Sequence, residues 1–321
     1  MEVAVTSYGA RFVTIVCPDK DGSPTDVVVG FDSINGYLNS TETYYSAIVG
    51  RYANRIADGR FQLDGRQYQL AINNPPNHLH GGPQGFHKQV WEIKKTGDDN
   101  IELYYFSKDG EENYPGNLEV TIIYNLTDDN ELEIQYKATT DAPTIINLTS
   151  HPFFNLNGQG SGTIENHILQ IEADHYNPVN ENLIPRGIET VAGTPFDFRK
   201  AKIIGQDIND QDLQLVYGAG YDHNYVLNGD GFRKVAMAKG DESGIVMEVF
   251  TDQPGMQLYS GNYMKGENPI KNGLKDNKRE AFCLETQHYP DSPNQPDFPS
   301  TVLRPGEKFD SRTVYKFYTV V

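Results

Sequence analysis

Cysteine is scarce in this sequence, with Cys17 and Cys283 as the only two among 321 residues. Two cysteines cannot form a disulfide framework in a chain this long, and there is no Cys-x-x-Cys pair for zinc or thiol exchange. We therefore expect both to be free, buried thiols. The sequence also lacks any apolar run near 18 residues, so we expect no membrane-spanning helix.

Basic charge is the second deficit. The chain has 27 Lys and Arg against 44 Asp and Glu, a formal net charge of −17, and no Lys/Arg-rich block. This excludes a nucleic-acid-binding protein, which needs a basic surface. It also disfavours strongly anionic ligands such as sugar phosphates, so we expect a neutral partner.

The opening residues, MEVAVTSYGARFVTIVCP, lack a basic segment followed by an apolar one. They begin directly with a strand pattern, so we expect no signal peptide in this chain. As the sequence stands, this predicts a cytoplasmic protein. A leader removed before Met1 would make the protein periplasmic instead.

Short strand-like runs separated by Gly, Asn, Asp and Pro dominate the chain. Asp64-Gly65 is typical of a hairpin turn, and the segment 118–140 has two alternating runs joined by residues 127–130. Helical periodicity is weak even in the best candidate, residues 203–217. With no linker and no repeat, residues 1–321 are predicted to form one all-β domain, a large two-sheet sandwich with few short helices.

Two histidines stand one residue apart in NNPPNHLHGG. In a strand, His78 and His80 would point to the same side and could face a metal or a substrate. Zinc needs three or four ligands, and no third ligand follows nearby in the sequence, so we expect no metal. The flanking Pro-Pro and Gly-Gly pairs indicate a short exposed segment from which a side chain reaches a cleft.

Polar residues inside apolar strand sequence mark two further places. In GRYANRI, Asn54 and Arg55 form either a structural ion pair beside a turn or a donor fork for sugar or carboxylate oxygens. In TSHPFFNL, His151 precedes a proline and two phenylalanines, as in a sugar site with an aromatic wall. The alternative for His151 is a histidine held by backbone carbonyls in a tight turn.

The FCLET segment places a carboxylate in an apolar strand. Cys283 and Glu285 share one face there, and burial would raise the pKa of Glu285 toward that of a working base. No base is evident beside Cys283, which makes it a poor nucleophile. Asp222 in GYDHNY and Gln257 in QPGMQLYSGN are each more typical of turn or surface positions when taken alone.

Six motifs in order, GRYANRI, NHLHGG, TSHPFFNL, GYDHNY, QPGMQLYSGN and FCLETQHYPDSPNQP, closely resemble the aldose 1-epimerases, also called galactose mutarotases. The resemblance runs from about Val27 to the C-terminus. It implies an antiparallel β-supersandwich and cofactor-independent interconversion of the α and β anomers of free aldohexoses such as galactose and glucose. It also suggests that a short N-terminal segment is missing and that Ser46 stands where many relatives have glycine.

The resemblance assigns roles by motif. It implies that Glu285 is the catalytic base, His151 the acid and His80 a further active-site histidine, with His78 incidental. The implied sugar-binding positions are Asn54, Arg55, Asp222 and Gln257. Ring opening removes the proton of the C1 hydroxyl and protonates the ring oxygen, so we expect Glu285 ionised and His151 protonated at rest.

Three alternatives remain at this point. A glycoside hydrolase would use Asp222 and Glu285 as paired carboxylates but would leave the histidines without roles. A non-catalytic carbohydrate-binding module would have no need for the catalytic positions, all of which are filled. A hexose-6-phosphate epimerase would need a basic pocket. The expected partner is a small aldose sugar, without nucleic acid or membrane, bound by a monomer or weak dimer.

Overall fold

The computed structural model describes residues 1–320, which form mostly short β-strands. Numbered along the chain, the strands are β1 Glu2–Thr6, β2 Arg11–Pro18, β3 Pro24–Asp26, β4 Ile48–Val49, β5 Arg55–Ile56, β6 Arg60–Leu63, β7 Arg66–Gln69, β8 His78–Leu79, β9 Glu92–Thr96, β10 Asn100–Ser107, β11 Leu118–Leu126, β12 Glu131–Thr140, β13 Thr144–Ile145, β14 Thr149–Ser150, β15 Ile168–Ile171, β16 His175–Tyr176, β17 Glu189–Thr190, β18 Lys202–Ile203, β19 Asp222–Val226, β20 Arg233–Lys239, β21 Ile245–Thr251, β22 Gly255–Tyr259, β23 Cys283–Gln287, β24 Val302–Leu303 and β25 Phe309–Thr319.

Helical structure is limited to short pieces in the described residues. The two α-helices are α1 Ile34–Asn39 and α2 Leu213–Gly218. The 3₁₀ turns are Ala57–Gly59, Phe86–Lys88, Glu111–Asn113, Ile204–Gln206, Lys271–Gly273 and Ser292–Asn294. None of these helices is long and apolar enough to cross a membrane.

A nine-stranded antiparallel sheet forms one layer, in the order β18-β15-β20-β21-β25-β12-β11-β10-β9. The predicted meander hairpin is confirmed: β11 pairs with β12 from Leu118↔Thr140 to Leu126↔Leu132. Leu118, Val120 and Ile122 on β11 enter the main core, as period-2 alternation requires.

A five-stranded antiparallel sheet, ordered β17-β16-β19-β22-β23, forms the facing layer. Met256 and Leu258 on β22 and Leu284 on β23 belong to the same buried cluster as the inner face of the large sheet. The residues that alternate with them, including Gln257 and Glu285, therefore face away from this core. The predicted all-β sandwich is confirmed, and the smaller sheet has one face free to build a site.

The predicted hairpin turn at Asp64-Gly65 is also confirmed, because it joins the paired strands β6 and β7. Both residues have positive φ, 49° for Asp64 and 79° for Gly65. This matches the type I′ geometry that twists in the same sense as the strands it connects.

The helix considered over residues 203–217 is only partly present. Ile203 ends β18, a 3₁₀ turn follows at Ile204–Gln206, and α2 begins only at Leu213. The side chain of Asp212 caps α2 by accepting a hydrogen bond from the Gln214 backbone N–H at 2.8 Å. Gly and Asp residues before this cap favour turns, so the α-helix covers only the last five residues of the region and extends to Gly218.

Both cysteines are free and buried, as predicted. Cys283 packs in a second core cluster with Tyr45 and Phe153, and Phe282 and Leu284 enter the main core. Alternate residues of the FCLET strand therefore lie on opposite faces, as its sequence predicts. Burial raises the pKa of the Cys283 thiol well above its ordinary value, which removes it from consideration as a nucleophile.

Candidate active site

The outward face of the five-stranded sheet carries three of the predicted site residues. Cross-strand register puts Gln257 on β22 opposite Glu285 on β23, and Asp222 on β19 lies one row away, opposite Tyr259. Gln257 Nε2 donates a hydrogen bond to Asp222 Oδ1 at 2.7 Å. Residues between 28 and 63 positions apart in sequence thus meet because side chains on one face of adjacent antiparallel strands are neighbours.

Arg55 reaches this sheet from β5. Its guanidinium lies 3.8 Å from the Asp222 carboxylate, with each side chain 9% exposed, and its Nε donates to Asn74 Oδ1 at 3.1 Å. GRYANRI was interpreted either as a structural ion pair beside a turn or as a donor fork for a ligand. Both interpretations hold in part, because Arg55 makes an ion pair, but with a residue across the pocket. Asn54 has φ 64°, and its side-chain oxygen accepts the Arg55 backbone N–H at 2.9 Å.

His78 and His80 point in different directions, contrary to the alternation of a continuous strand. β8 ends at Leu79 and His80 has φ 50°, so the chain turns before His80. His78 is fully buried between the Ala71 carbonyl and the Tyr114 hydroxyl, each 2.7 Å away, and plays no part in the pocket. His80 Nδ1 accepts the Asn54 backbone N–H at 3.1 Å, which leaves Nε2 as the protonated donor.

His151 follows β14, which pairs with β4. Its backbone N–H donates to the Ala47 carbonyl and its carbonyl accepts from Ser46. The imidazole Nε2 lies 3.4 Å from Glu285 Oε1. Side-chain contact with a carboxylate, rather than with backbone carbonyls, sets this histidine apart from the turn-held alternative considered for it.

The expected aromatic wall differs from the observed one. Phe153 stacks on the His151 ring at a centroid distance of 5.0 Å but is fully buried behind it, and Phe154 enters the main core. Tyr44 contacts the other side of the histidines, with its ring 4.6 Å from His80 and 5.9 Å from His151. Residues 152–154 follow an irregular path, which makes strand alternation a poor guide to their directions.

These side chains enclose an open pocket with an empty volume of about 460 Å³, lined by Glu42, Tyr44, Asn54, Arg55, Leu79, His80, His151, Asp222, Tyr259, Tyr263 and Glu285. Six of the seven predicted residues line it. Gln257 does not, and reaches the pocket only through Asp222. The sequence did not predict five further lining residues: Glu42, Tyr44, Leu79, Tyr259 and Tyr263. For the three tyrosines the only signal is the abundance of tyrosine, 20 residues in all, and for the other two there is none.

Burial governs the charges of the central pair. It raises the pKa of Glu285 well above the ordinary value, helped by the negative charges of Asp222 and Glu42. It lowers the pKa of His151 to about 3. Both shifts favour the uncharged forms, so the expectation of an ionised Glu285 beside a protonated His151 is wrong for the pocket without a sugar.

Three buried polar atoms in and beside the pocket have no hydrogen-bond partner in residues 1–320. They are Glu285 Oε2, His151 Nδ1 and Gln257 Oε1. Leaving such atoms unpaired costs free energy, and a hydroxyl-rich ligand or water can form hydrogen bonds with those beside a pocket.

Two of these residues, together with His80, could also bind a metal. Ligand atoms of His80, His151 and Glu285 lie within 4.8 Å of one another, so a third potential ligand exists in space although none follows in sequence.

Known proteins resemble this chain over nearly its whole length. The aldose 1-epimerase family model matches residues 1–316. Galactose mutarotase of Bos taurus is 45% identical over 319 residues, covering 99% of this chain and 91% of that protein, and the Homo sapiens protein is 44% identical over the same lengths. Aldose 1-epimerase of Escherichia coli K12 is 40% identical over 323 residues, covering 99% and 92%.

Solved structures agree with these matches. A GalM/aldose epimerase homologue from C. elegans superposes with a TM-score of 0.92 at 30% identity, covering 99% of this chain and 96% of the other. A galactose 1-epimerase from Lactobacillus acidophilus gives 0.85 at 31% identity, covering 99% and 91%.

Proposed function

Because the chain belongs to the aldose 1-epimerase family, we propose that it interconverts the α and β anomers of free aldohexoses, galactose and glucose among them, with Glu285 as base and His151 as acid. The protein is an isomerase. The observation that carries the assignment of roles is the 3.4 Å approach of His151 Nε2 to Glu285 Oε1 inside the pocket. Opening of a cyclic hemiacetal needs a base and an acid placed close together in this way.

The pair works with a single shared proton. A bound sugar supplies hydroxyl donors to the unpaired Glu285 Oε2, which stabilises the carboxylate and leaves the proton on His151. Glu285 then takes the proton of the C1 hydroxyl while His151 protonates the ring oxygen, and the C1–O5 bond opens. Rotation about C1–C2 followed by the reverse transfers closes the ring on the other face.

The remaining residues bind and orient the sugar. His80 is neutral because burial lowers its pKa well below the ordinary value, and its Nε2–H donates to the C1 oxygen as that atom gains negative charge. Arg55 and Asp222 offer donors and acceptors to ring hydroxyls, as does Asn54. Gln257 binds indirectly, by holding Asp222 in place.

The first test is polarimetry of freshly dissolved α-D-galactose and α-D-glucose with wild type and Glu285→Gln. We expect wild type to speed equilibration of at least one sugar. The variant should lose about 10²–10⁴-fold in kcat, because an amide cannot accept the proton. Full activity after treatment with a chelator is also expected, since the reaction needs no metal.

Matched controls make the result interpretable. Glu119 is an exposed residue of β11, and Glu119→Gln removes a charge of the same kind from the large sheet. That variant should keep wild-type rates. Equal rates for Glu285→Gln and wild type would remove Glu285 from the role of base, and loss of activity on chelation would favour a metal held by the two histidines and Glu285.

Three further properties belong to this proposal. We expect residues 1–321 to fold as one domain, to act as a monomer or weak dimer, and to work in the cytoplasm. Calorimetry, sedimentation and cell fractionation test them in turn. A glycoside hydrolase is disfavoured, because Asp222 is paired with Arg55 and hydrogen-bonded by Gln257, as expected of a binding residue.

A further inference from the structure

We propose that Glu42 contacts the sugar and that its carboxylate makes the pocket accept aldoses carrying an ammonium group while rejecting aldoses carrying a carboxylate. This inference rests on the proposed function, because it names substrates of the same site. It concerns a residue that none of the motifs includes. Glu42 lies in the loop between α1 and β4 and lines the pocket together with Glu285 and Asp222.

The loop holds the Glu42 carboxylate in a fixed orientation. Oε1 accepts the Tyr44 backbone N–H at 2.9 Å, and the Glu42 backbone N–H donates to Ser40 Oγ at 3.1 Å. The carboxylate also accepts a hydrogen bond from the Thr43 backbone N–H, and no side chain among residues 1–320 donates to it. Backbone donors therefore position the group, and no side chain competes with a ligand for it.

The charge balance of the pocket lacks a cation opposite Glu42. Three carboxyl groups, Glu42, Asp222 and Glu285, line it, against the single guanidinium of Arg55. That guanidinium is within 4.0 Å of Asp222 and makes no ion pair with Glu42.

The guanidinium whose charge acts on Glu42 belongs to Arg11. It is committed to backbone carbonyls, since it donates to the carbonyls of Tyr8, Tyr45 and His87. Burial accordingly raises the pKa of Glu42 to about 7. A ligand ammonium would supply the missing partner, because it favours the ionised carboxylate through a charge-assisted hydrogen bond.

The position of Glu42 limits which part of the sugar it meets. It lies two residues before Tyr44, whose ring packs against His80 and His151, and its charge acts on Glu285. It is therefore beside the reacting atoms, C1 and the ring oxygen. C2 is bonded to C1, and C5, which carries C6, is bonded to the ring oxygen, so the substituent at C2 or C6 is the one that Glu42 faces.

The test measures kcat/KM for mutarotation of galactose, 2-amino-2-deoxygalactose, 6-amino-6-deoxygalactose and galacturonate. Wild type should turn over at least one amino sugar. Glu42→Gln keeps the shape of the side chain and one acceptor but removes the charge. Relative to kcat/KM for galactose on the same variant, it should lower kcat/KM for that amino sugar about tenfold and raise kcat/KM for galacturonate.

Glu119→Gln again serves as the control and should alter none of the four sugars. A Glu42→Gln variant that lost activity equally on all sugars, or a wild type unable to act on either amino sugar, would overturn the assignment. Failure of the proposed function is distinguishable, because wild type would then leave galactose itself unchanged. In that case calorimetric binding of both amino sugars to wild type and Glu42→Gln still decides whether Glu42 selects for positive charge.

Discussion

Two residues with opposed pKa shifts define the chemistry of the site. The pKa of Glu285 is raised and that of His151 is lowered, both mainly by burial. The pair is too close for independent titration, so its two apparent pKa values belong to the pair. Between them the pair holds one proton, which is the number that acid–base ring opening requires.

The pH profile follows from this separation of pKa values. Ordinary values of about 4.3 for Glu and 6.5 for His would confine the one-proton state to a narrow range. Because burial raises the upper value and lowers the lower value, kcat/KM for galactose should show no decline with a midpoint near 6.5, the ordinary value for His. It should decline only at higher pH, when the pair loses its last proton.

Polarimetric rates between pH 5 and 9, corrected for the uncatalysed rate at each pH, provide the measurement. A decline centred near 6.5 would contradict this account, because it would mean that His151 titrates as an exposed imidazole and that burial does not control the pair.

Sequence predicted these residues better than it predicted their surroundings. Glu285 and His151 are polar groups in otherwise apolar strand sequence, and burial of such a group has a cost that draws attention to it. Glu42 and Tyr263 come from loops, whose path depends on contacts distant in sequence. No local pattern marks them. The protonation states of Glu285 and His151 depend on burial by the whole fold, which the sequence does not show. The expected ionised pair was therefore wrong for the pocket without a sugar.

At the scale of the element, the segment after β8 explains the Gly-Gly pair that follows His80. The chain takes positive φ at His80, Gly81 and Gly82. A Cβ atom on Gly81 would lie 1.8 Å from the Gly50 carbonyl oxygen, so no other residue fits without displacing backbone. Gly81 thus permits the close approach that directs His80 into the pocket.

Gly81→Ala is therefore expected to damage both stability and activity. The overlap with Gly50 must move the segment that carries His80, and we expect a loss of more than about 2 kcal/mol in the free energy of unfolding. We also expect kcat/KM to fall at least about tenfold. Urea unfolding and polarimetry measure the two effects.

Gly65→Ala is the matched control. Gly65 has a similar φ, 79°, but a Cβ there would meet nothing within 4 Å. It should cost about 1 kcal/mol with unchanged activity, because only the conformational preference changes. Equal effects of the two substitutions would show that the contact with Gly50 is unimportant.

Regular strands were the elements that sequence predicted well. The hairpin at Asp64-Gly65 and the meander over residues 118–140 follow from turn residues and alternation. His78 and His80 do not share a face as they would in a continuous strand, because the positive φ of His80 changes the direction of its side chain. The helix over residues 203–217 was too long, because turn-forming residues before Asp212 outweigh its weak periodicity.

At the scale of the whole molecule, buried titratable groups make stability depend on pH. Burial lowers the pKa of seven histidines: His78, His80, His87, His151, His167, His223 and His288. Five carboxyl groups have raised pKa values: Glu42, Glu112, Asp222, Glu285 and Asp291. The histidines exceed the carboxyl groups by two.

Acidification from pH 6.5 to 5 should therefore destabilise the protein. The unfolded chain protonates its histidines below about 6.5 and the folded chain does not, whereas at most five folded carboxyl groups hold protons that the unfolded ones release. Near pH 5 the protein therefore takes up at least about two protons on unfolding. The free energy of unfolding should then fall by about 3 kcal/mol for each pH unit of acidification.

Urea unfolding at several pH values measures this slope. His167 offers a variant away from the pocket, since its Nε2 accepts the Leu156 backbone N–H. His167→Gln should reduce the slope. A stability that is constant or that rises on acidification would contradict the dominance of the histidines.

The position of β25 has a consequence for synthesis on the ribosome. This last strand lies in the middle of the nine-stranded sheet, hydrogen-bonded to β12 on one side and β21 on the other. A nascent chain therefore carries two half-sheets with open edges until residues 309–319 emerge, and such edges favour pairing with other chains. β25 must be synthesised before this sheet can close, so we expect a product truncated before residue 309 to be prone to aggregation.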